Sequence, residues 1–169
     1  MIKLIVLDVD GCLSDGKLTY NGDGIESKNF NVKDGLGITT WLKIGNEVAI
    51  ITGRNSSIVE KRAKELGIKH LYQGIKNKQK VLDDLVVSLG LTYDEVAAIG
   101  DDLNDYNMLK KVAQSFTPAD GVESIKNIVD TPLSKNGGDG AVREMIEKLI
   151  ILNKQETEFL SVWTDPKGV

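Results

Sequence analysis

Cysteine and histidine are nearly absent from this chain: Cys12 and His70 stand alone among 169 residues. A single thiol excludes an internal disulfide framework and suits a reducing compartment, so the expected location is the cytoplasm. A single imidazole leaves few options for a soft metal site. Long hydrophobic runs are missing too. The apolar N-terminal stretch falls far short of the roughly 18 residues of a membrane span, and no basic region with a small-residue cleavage site accompanies it. Neither a membrane anchor nor a targeting segment is expected. Positive charge is not in excess, with 21 Lys+Arg against 25 Asp+Glu and a formal net charge of -4. Nothing therefore favours nucleic acid or an anionic membrane as a partner. Repeats and low-complexity tracts are lacking, and 169 residues suffice for one well-packed domain without room for a large second one.

What the chain does have is a run rich in β-branched residues and apolar except for Lys3, residues 2–7, that ends abruptly in Asp8-Val-Asp10-Gly11. Such a run fits a central strand of a parallel sheet covered on both faces. Period-two alternation predicts that Asp8 and Asp10 point the same way. Paired carboxylates repel unless a cation lies between them or one takes a proton, and magnesium is the natural cation for hard oxygen ligands. Taken alone, the two aspartates also read as ordinary strand-terminating residues.

Further along, Asn21-Gly22 between residues 17–20 and 25–30 predicts a hairpin flap, about 14–30. A lone hairpin is marginal in water, so the flap is expected to pack against another subunit or to be floppy. A helix is predicted over about 36–43. A strand over 47–51 then runs into Thr52-Gly53-Arg54, which presents a hydroxyl and backbone N–H groups to an anion. An amphipathic helix (57–66), a short strand (68–71) and a helix from about 77 follow, the last with Lys76, Lys78 and Lys80 at its start. A strand over 95–99 ends in Gly100-Asp101-Asp102-Leu103-Asn104-Asp105. Beyond it come a short helix (108–112), a short strand (114–116) and an edge element (125–129 with Thr131). The loop 134–140, with Gly137, Gly138 and Gly140, reads as flexible. A helix over 141–152 closes the expected single domain, 1–152, and leaves a tail, 153–169, that either docks or frays.

Strands alternating with helices, each polar cluster at a strand's carboxyl end, describe an α/β fold with a doubly wound, mostly parallel sheet and one crevice. The converging residues read as metal plus phosphate chemistry. Asp8, Asp101 and Asp102 are candidate Mg²⁺ ligands. Thr52, backbone N–H groups and Lys78 would neutralise phosphoryl oxygens, with Gly53 and Asn104 beside them. Asp8 is placed to attack phosphorus and form an aspartyl-phosphate, and Asp10 to protonate the leaving oxygen and then accept a proton from water.

The set Asp8-Val-Asp10-Gly11, Ile51-Thr52-Gly53-Arg54, Lys78 and Gly100-Asp101-Asp102-Leu103-Asn104-Asp105 resembles, in order and spacing, the four motifs of the haloacid dehalogenase superfamily. The resemblance implies a Rossmann-like fold. It makes Asp8 the nucleophile, Asp10 the general acid/base, Thr52 and Lys78 phosphate ligands, and Asp101 a metal ligand with Asp8 and the Asp10 carbonyl. Asp102 would support the metal through water. No segment is long enough for a cap domain. That is similar to the capless subclass, whose members form tetramers so that a neighbour roofs the site; a homotetramer is therefore expected.

Within that subclass, Leu13-Ser14-Asp15-Gly16, Phe30-Asn31-Val32-Lys33-Asp34-Gly35, Leu71-Tyr72-Gln73-Gly74 and Gly137-Gly138-Asp139-Gly140-Ala141-Val142-Arg143-Glu144 resemble the phosphatases of 3-deoxy-D-manno-octulosonate (KDO) 8-phosphate. That resemblance implies a sugar acid phosphate as substrate and lipopolysaccharide sugar synthesis as the pathway. Arg54 matches the KDO 8-phosphate enzymes, where relatives acting on KDN 9-phosphate tend to carry glutamate. Lys33, Arg62 and Arg143 are further candidate substrate contacts. A response-regulator receiver fits less well, because the strand ending at Ile51 supplies Thr52 and no acceptor aspartate. A non-catalytic assembly module is the other alternative.

Overall fold

The structure is a computed structural model that describes residues 1–165. Its centre is a six-stranded parallel sheet of β1 (Leu4–Leu7), β4 (Glu47–Ile51), β5 (His70–Tyr72), β6 (Val96–Ile99), β7 (Gln114–Thr117) and β8 (Thr131–Pro132), in the order β5-β4-β1-β6-β7-β8. The chain builds outward from β1 on one side and then returns to build on the other. The reversal falls between β4 and β6, and the crevice at such a switch point is where α/β sheets hold ligands. Register aligns the strand ends, with Leu7 abreast of both Ile50 and Ile99.

Period two sorts the sheet's side chains onto two faces. Ile5, Leu7, Val48, Ile50, Ala97 and Ile99 pack with Ile38 and Trp41 of α1 (Val32–Lys43), Val59 and Ala63 of α2 (Ser57–Leu66), and Met145, Ile146 and Leu149 of α6 (Ala141–Asn153). Leu4, Val6, Ala49, Ile51, Val96 and Ala98 face Leu82 and Leu85 of α3 (Lys78–Ser88), Met108 of α4 (Tyr106–Leu109) and Ile125 of α5 (Glu123–Lys126). Both faces are dry, as continuous apolar strands require.

Several expected boundaries move. The first helix begins at Val32 rather than near Leu36, because Asn31 caps it by accepting the Lys33 N–H at 2.8 Å. Residues 125–129 do not form an edge strand: Ile125 and Lys126 belong to the single helical turn α5, and the edge strand is β8. The hairpin is shorter than its β-capable residues suggest, with β2 (Thr19–Tyr20) paired to β3 (Glu26–Ser27). The tail docks on its own chain through α7 (Glu156–Thr164), where Trp163 Nε1 donates to Thr40 Oγ1 at 2.8 Å and Lys43 lies 4.4 Å over the indole. The rest of the tail, 166–169, lies outside the described residues.

Candidate active site

Asp8 follows β1, Thr52 follows β4, and Gly100-Asp101 follow β6, so in-register strands deliver three polar clusters to one level. They surround a cavity of about 260 Å³ lined by Asp8, Asp10, Thr52, Gly53, Arg54, Asp101, Asp102 and Asn104. Lys78 lies below them. It is the first residue of α3, where an ammonium opposes the helix dipole, but its side chain turns inward and is almost wholly buried. Its Nζ donates to Asp8 Oδ1 at 2.7 Å and to Asp105 Oδ1 at 2.6 Å.

Asp105 ties this floor together. Fully buried, it also accepts the Asp101 N–H on Oδ2 at 3.1 Å. Burial, then the neighbouring Asp105 charge, pushes Asp8 up to about 6 against the pull of Lys78. Burial and the charges of Asp8 and Asp105 push Asp101 up to about 8. Lys78 moves the opposite way to a lone buried amine. Burial lowers its pKa, but the charges and hydrogen bonds of the two carboxylates outweigh that and hold it as an ammonium. Burial, with the charges of Asp8 and Asp101, raises the Cys12 thiol well above its ordinary range, so it stays protonated beside them.

Beyond Asp8 the strand does not continue. Residues 9–13 form a wide turn closed by Ser14 N–H to Val9 O at 2.9 Å, with Gly11 at φ +97°. A Cβ on Gly11 would sit 2.0 Å from Asp101 Oδ2, so glycine here both allows the left-handed backbone and admits the Asp101 carboxylate. The loop expected to be flexible buttresses this turn. Gly138 N–H donates to Cys12 O at 2.9 Å, and a Cβ on Gly137 would fall 1.8 Å from Gly11 O. Gly137 and Gly138 are there for close backbone approach.

Asp10 lines the same crevice as Asp8, yet each carboxylate has its own cation. Lys28, from the flap, places Nζ 2.5 Å from Asp10 Oδ1 and 3.2 Å from Glu26 Oε1, with only 1% of its side chain exposed. Arg54 donates to Glu26 Oε1 at 3.0 Å and to the Tyr20 hydroxyl at 3.2 Å, and its Nε lies 3.9 Å from Asp10 Oδ2. Lys28, Glu26 and Tyr20 were not anticipated from the sequence. The available signal is spacing: Glu26 and Lys28 are two apart in an extended segment and share a face.

Not every expected contact reaches the crevice. Arg62 lies over the Phe30 ring, 5.7 Å from its centroid, and pairs with Glu65 at 3.5 Å, held between α1 and α2. Lys33 lies on the rim of a separate cavity with Arg143 and Glu144, because the early start of α1 turns it that way. Arg143 pairs there with Glu147 at 2.7 Å. Asp102 lines the crevice while its Oδ1 accepts the Leu103 N–H at 2.7 Å.

A parallel sheet whose central strand ends in a buried aspartate, flanked by a threonine, an inward lysine and a second acidic strand end, defines the class of haloacid dehalogenase-like hydrolases, whose family model matches residues 70–146. The 3-deoxy-D-manno-octulosonate 8-phosphate phosphatase KdsC of Escherichia coli K12 is 45% identical over 150 residues, covering 89% of this chain and 80% of that protein. The crystal structure of the Moraxella catarrhalis KDO 8-phosphate phosphatase, in complex with magnesium ion, phosphate ion and KDO, superposes with a TM-score of 0.91 at 41% identity, over 96% of this chain and 94% of that one. The cobalt-bound Haemophilus influenzae enzyme gives 0.88 at 38%, over 99% and 95%. This chain belongs to the family of 3-deoxy-D-manno-octulosonate 8-phosphate phosphatases.

Proposed function

We propose that this protein hydrolyses KDO 8-phosphate to KDO and phosphate through an aspartyl-phosphate on Asp8. The observation that carries this reading is the buried Asp8–Lys78–Asp105 floor at the switch point of a chain 45% identical to such an enzyme. Asp8 attacks phosphorus as the bond to the sugar oxygen breaks, and Asp10 gives that oxygen its proton. Asp10 then takes a proton from the water that cleaves the acyl phosphate. Lys78, the Thr52 hydroxyl and the backbone at Gly53 neutralise the phosphoryl oxygens.

The donor set fits a hard divalent cation. Asp8, Asp101 and Asp105 converge with one ammonium among them, a surplus of negative charge, and Gly11 leaves the space through which Asp101 approaches. The Cys12 sulfur lies within 4.8 Å of Asp8 and Asp101 oxygens, but as a protonated thiol it is not a ligand for magnesium. Asp8, the Asp10 carbonyl and Asp101 would hold Mg²⁺, with Asp102 behind, and the cation would neutralise developing phosphoryl charge.

We read residues 1–152 as one catalytic domain and 153–169 as its tail. The exposed Leu18, Tyr20 and Ile25 on the flap support a homotetramer in which a neighbour covers them. A lone buried thiol suits a cytoplasmic enzyme. No helix among the described residues is long and apolar enough to cross a membrane. The test is phosphate release with Mg²⁺ from KDO 8-phosphate, KDN 9-phosphate, sialic acid 9-phosphate and hexose phosphates, with Asp8→Asn as blank. A strong preference for KDO 8-phosphate is expected; a flat profile would overturn the substrate, and turnover by Asp8→Asn would overturn the mechanism.

A further inference from the structure

The flap is too small to hold itself in place. Its strands are two residues each, its turn is closed by Asn21 Oδ1 accepting the Ile25 N–H at 2.8 Å, and a two-stranded ribbon of this kind is marginal in water. What ties it to the body is a ring of four charges: Asp10 and Arg54 from the crevice, Glu26 and Lys28 from the flap. Glu26 is anchored on both oxygens, with Oε1 shared by Arg54 and Lys28 and Oε2 accepting the Ser56 hydroxyl at 3.3 Å. Lys28 is thus backed by a fixed carboxylate, and its other partner among the described residues is Asp10.

We propose that Lys28 is a positioning residue for proton transfer by Asp10, carried into the site by the flap. This rests on the phosphatase reading and on the acid/base role given to Asp10 above. Lys28 grips Oδ1, the oxygen that accepts a hydrogen bond whether the carboxyl is neutral or ionised. Oδ2, which has the Arg54 Nε 3.9 Å away and no hydrogen bond from it, carries the proton both ways: out to the sugar oxygen as its bond to phosphorus breaks, and back from water as the acyl phosphate is cleaved. A carboxyl without that grip rotates about its terminal torsion, which has broad wells. The flap then serves the chemistry of its own chain as well as any contact with a neighbour.

A leaving group that is already a good one has little need of a proton, so the test compares two phosphates. The kcat/KM of Lys28→Met is measured on KDO 8-phosphate, with its alkoxide leaving group, and on 2,4-dinitrophenyl phosphate. General acid catalysis is worth about 10²–10⁴, so a loss at least about tenfold larger on the sugar phosphate is expected. Lys28→Arg should recover part of the difference. Equal losses on both phosphates, or no loss on the sugar phosphate, would overturn the proposal. Should Lys28→Met fail to fold, Glu26→Gln carries the same comparison at smaller amplitude, with equal losses again overturning it. Wild-type protein inactive on both compounds would instead sink the phosphatase reading itself.

Discussion

The floor of the crevice and the flap above it each pair a crevice aspartate with a buried lysine side chain, but they are built in opposite ways. Lys78 starts an eleven-residue helix packed on the sheet, and its partners follow β1 and sit in the turn after β6. Lys28 follows a two-residue strand whose residues belong to neither buried apolar cluster. The floor is held by the burial that folds the domain, whereas the flap is held largely by the ion pairs it makes at the site. Loss of a charge in the floor should therefore damage fold and activity together, and loss in the flap should damage activity selectively.

The largest effect should come from Lys78→Met. Asp8 and Asp105 would remain buried without their cation, and breaking a buried pair typically costs about 3–5 kcal/mol. Because Lys78 lowers the pKa of Asp8, its loss raises both the folded-state pKa and the charge penalty. The melting temperature should fall more at pH 8 than at pH 5, and turnover should drop about 10³-fold on sugar and aryl phosphates alike, since both present the same phosphoryl group. A variant as stable as wild type at pH 8 would break the comparison.

Arg54 belongs to the flap side and should act more narrowly. Arg54→Glu removes the guanidinium available to a substrate carboxylate and sets a third carboxylate beside Glu26 and Asp10. A charge-assisted hydrogen bond is worth about 1.5–3 kcal/mol, so turnover of KDO 8-phosphate should fall about 10–100-fold, with a much smaller effect on a generic aryl phosphate and little change in melting temperature. Equal loss on both substrates would mean that Arg54 does not read the sugar acid.

The same contrast explains what could be read without coordinates. Asp8, Thr52 and Asp101 were legible because each ends an apolar run, and strand ends in a doubly wound sheet share one level. Asp105 was visible only as one more residue in an acidic cluster, although it bridges Lys78 to the backbone of Asp101. Lys28 offered only its two-residue spacing from Glu26 as a signal; the fold of the hairpin is what brings it to Asp10. Arg62 and Lys33 stood out for their charge alone, and the fold places both away from the crevice. Gly137 was misread because a glycine needed for close approach looks like one placed for mobility.

The turn at Gly11 has a support of its own, which begins at Asp34. From α1, Asp34 accepts the Arg143 N–H at 2.8 Å, capping α6 after Gly140, which offers no side chain of its own. That helix start anchors residues 134–140 against the turn at Gly11. Burial pushes Asp34 up to about 6, against hydrogen bonds from Arg143 and Gly140 that pull it down, and its Oδ2 has no partner among the described residues. The native state therefore binds this proton more tightly than the unfolded chain, and stability falls as pH rises from about 4 to about 6. Above that window the full penalty, about 1–3 kcal/mol, is present; below it, the penalty vanishes. Asp34→Asn keeps the capping oxygen and removes the charge. Its melting temperature relative to wild type should climb between pH 4 and 6 and then level off, by a few degrees in all. A difference independent of pH would show that folding does not raise the pKa of this carboxyl, and that the cap carries no buried-charge penalty.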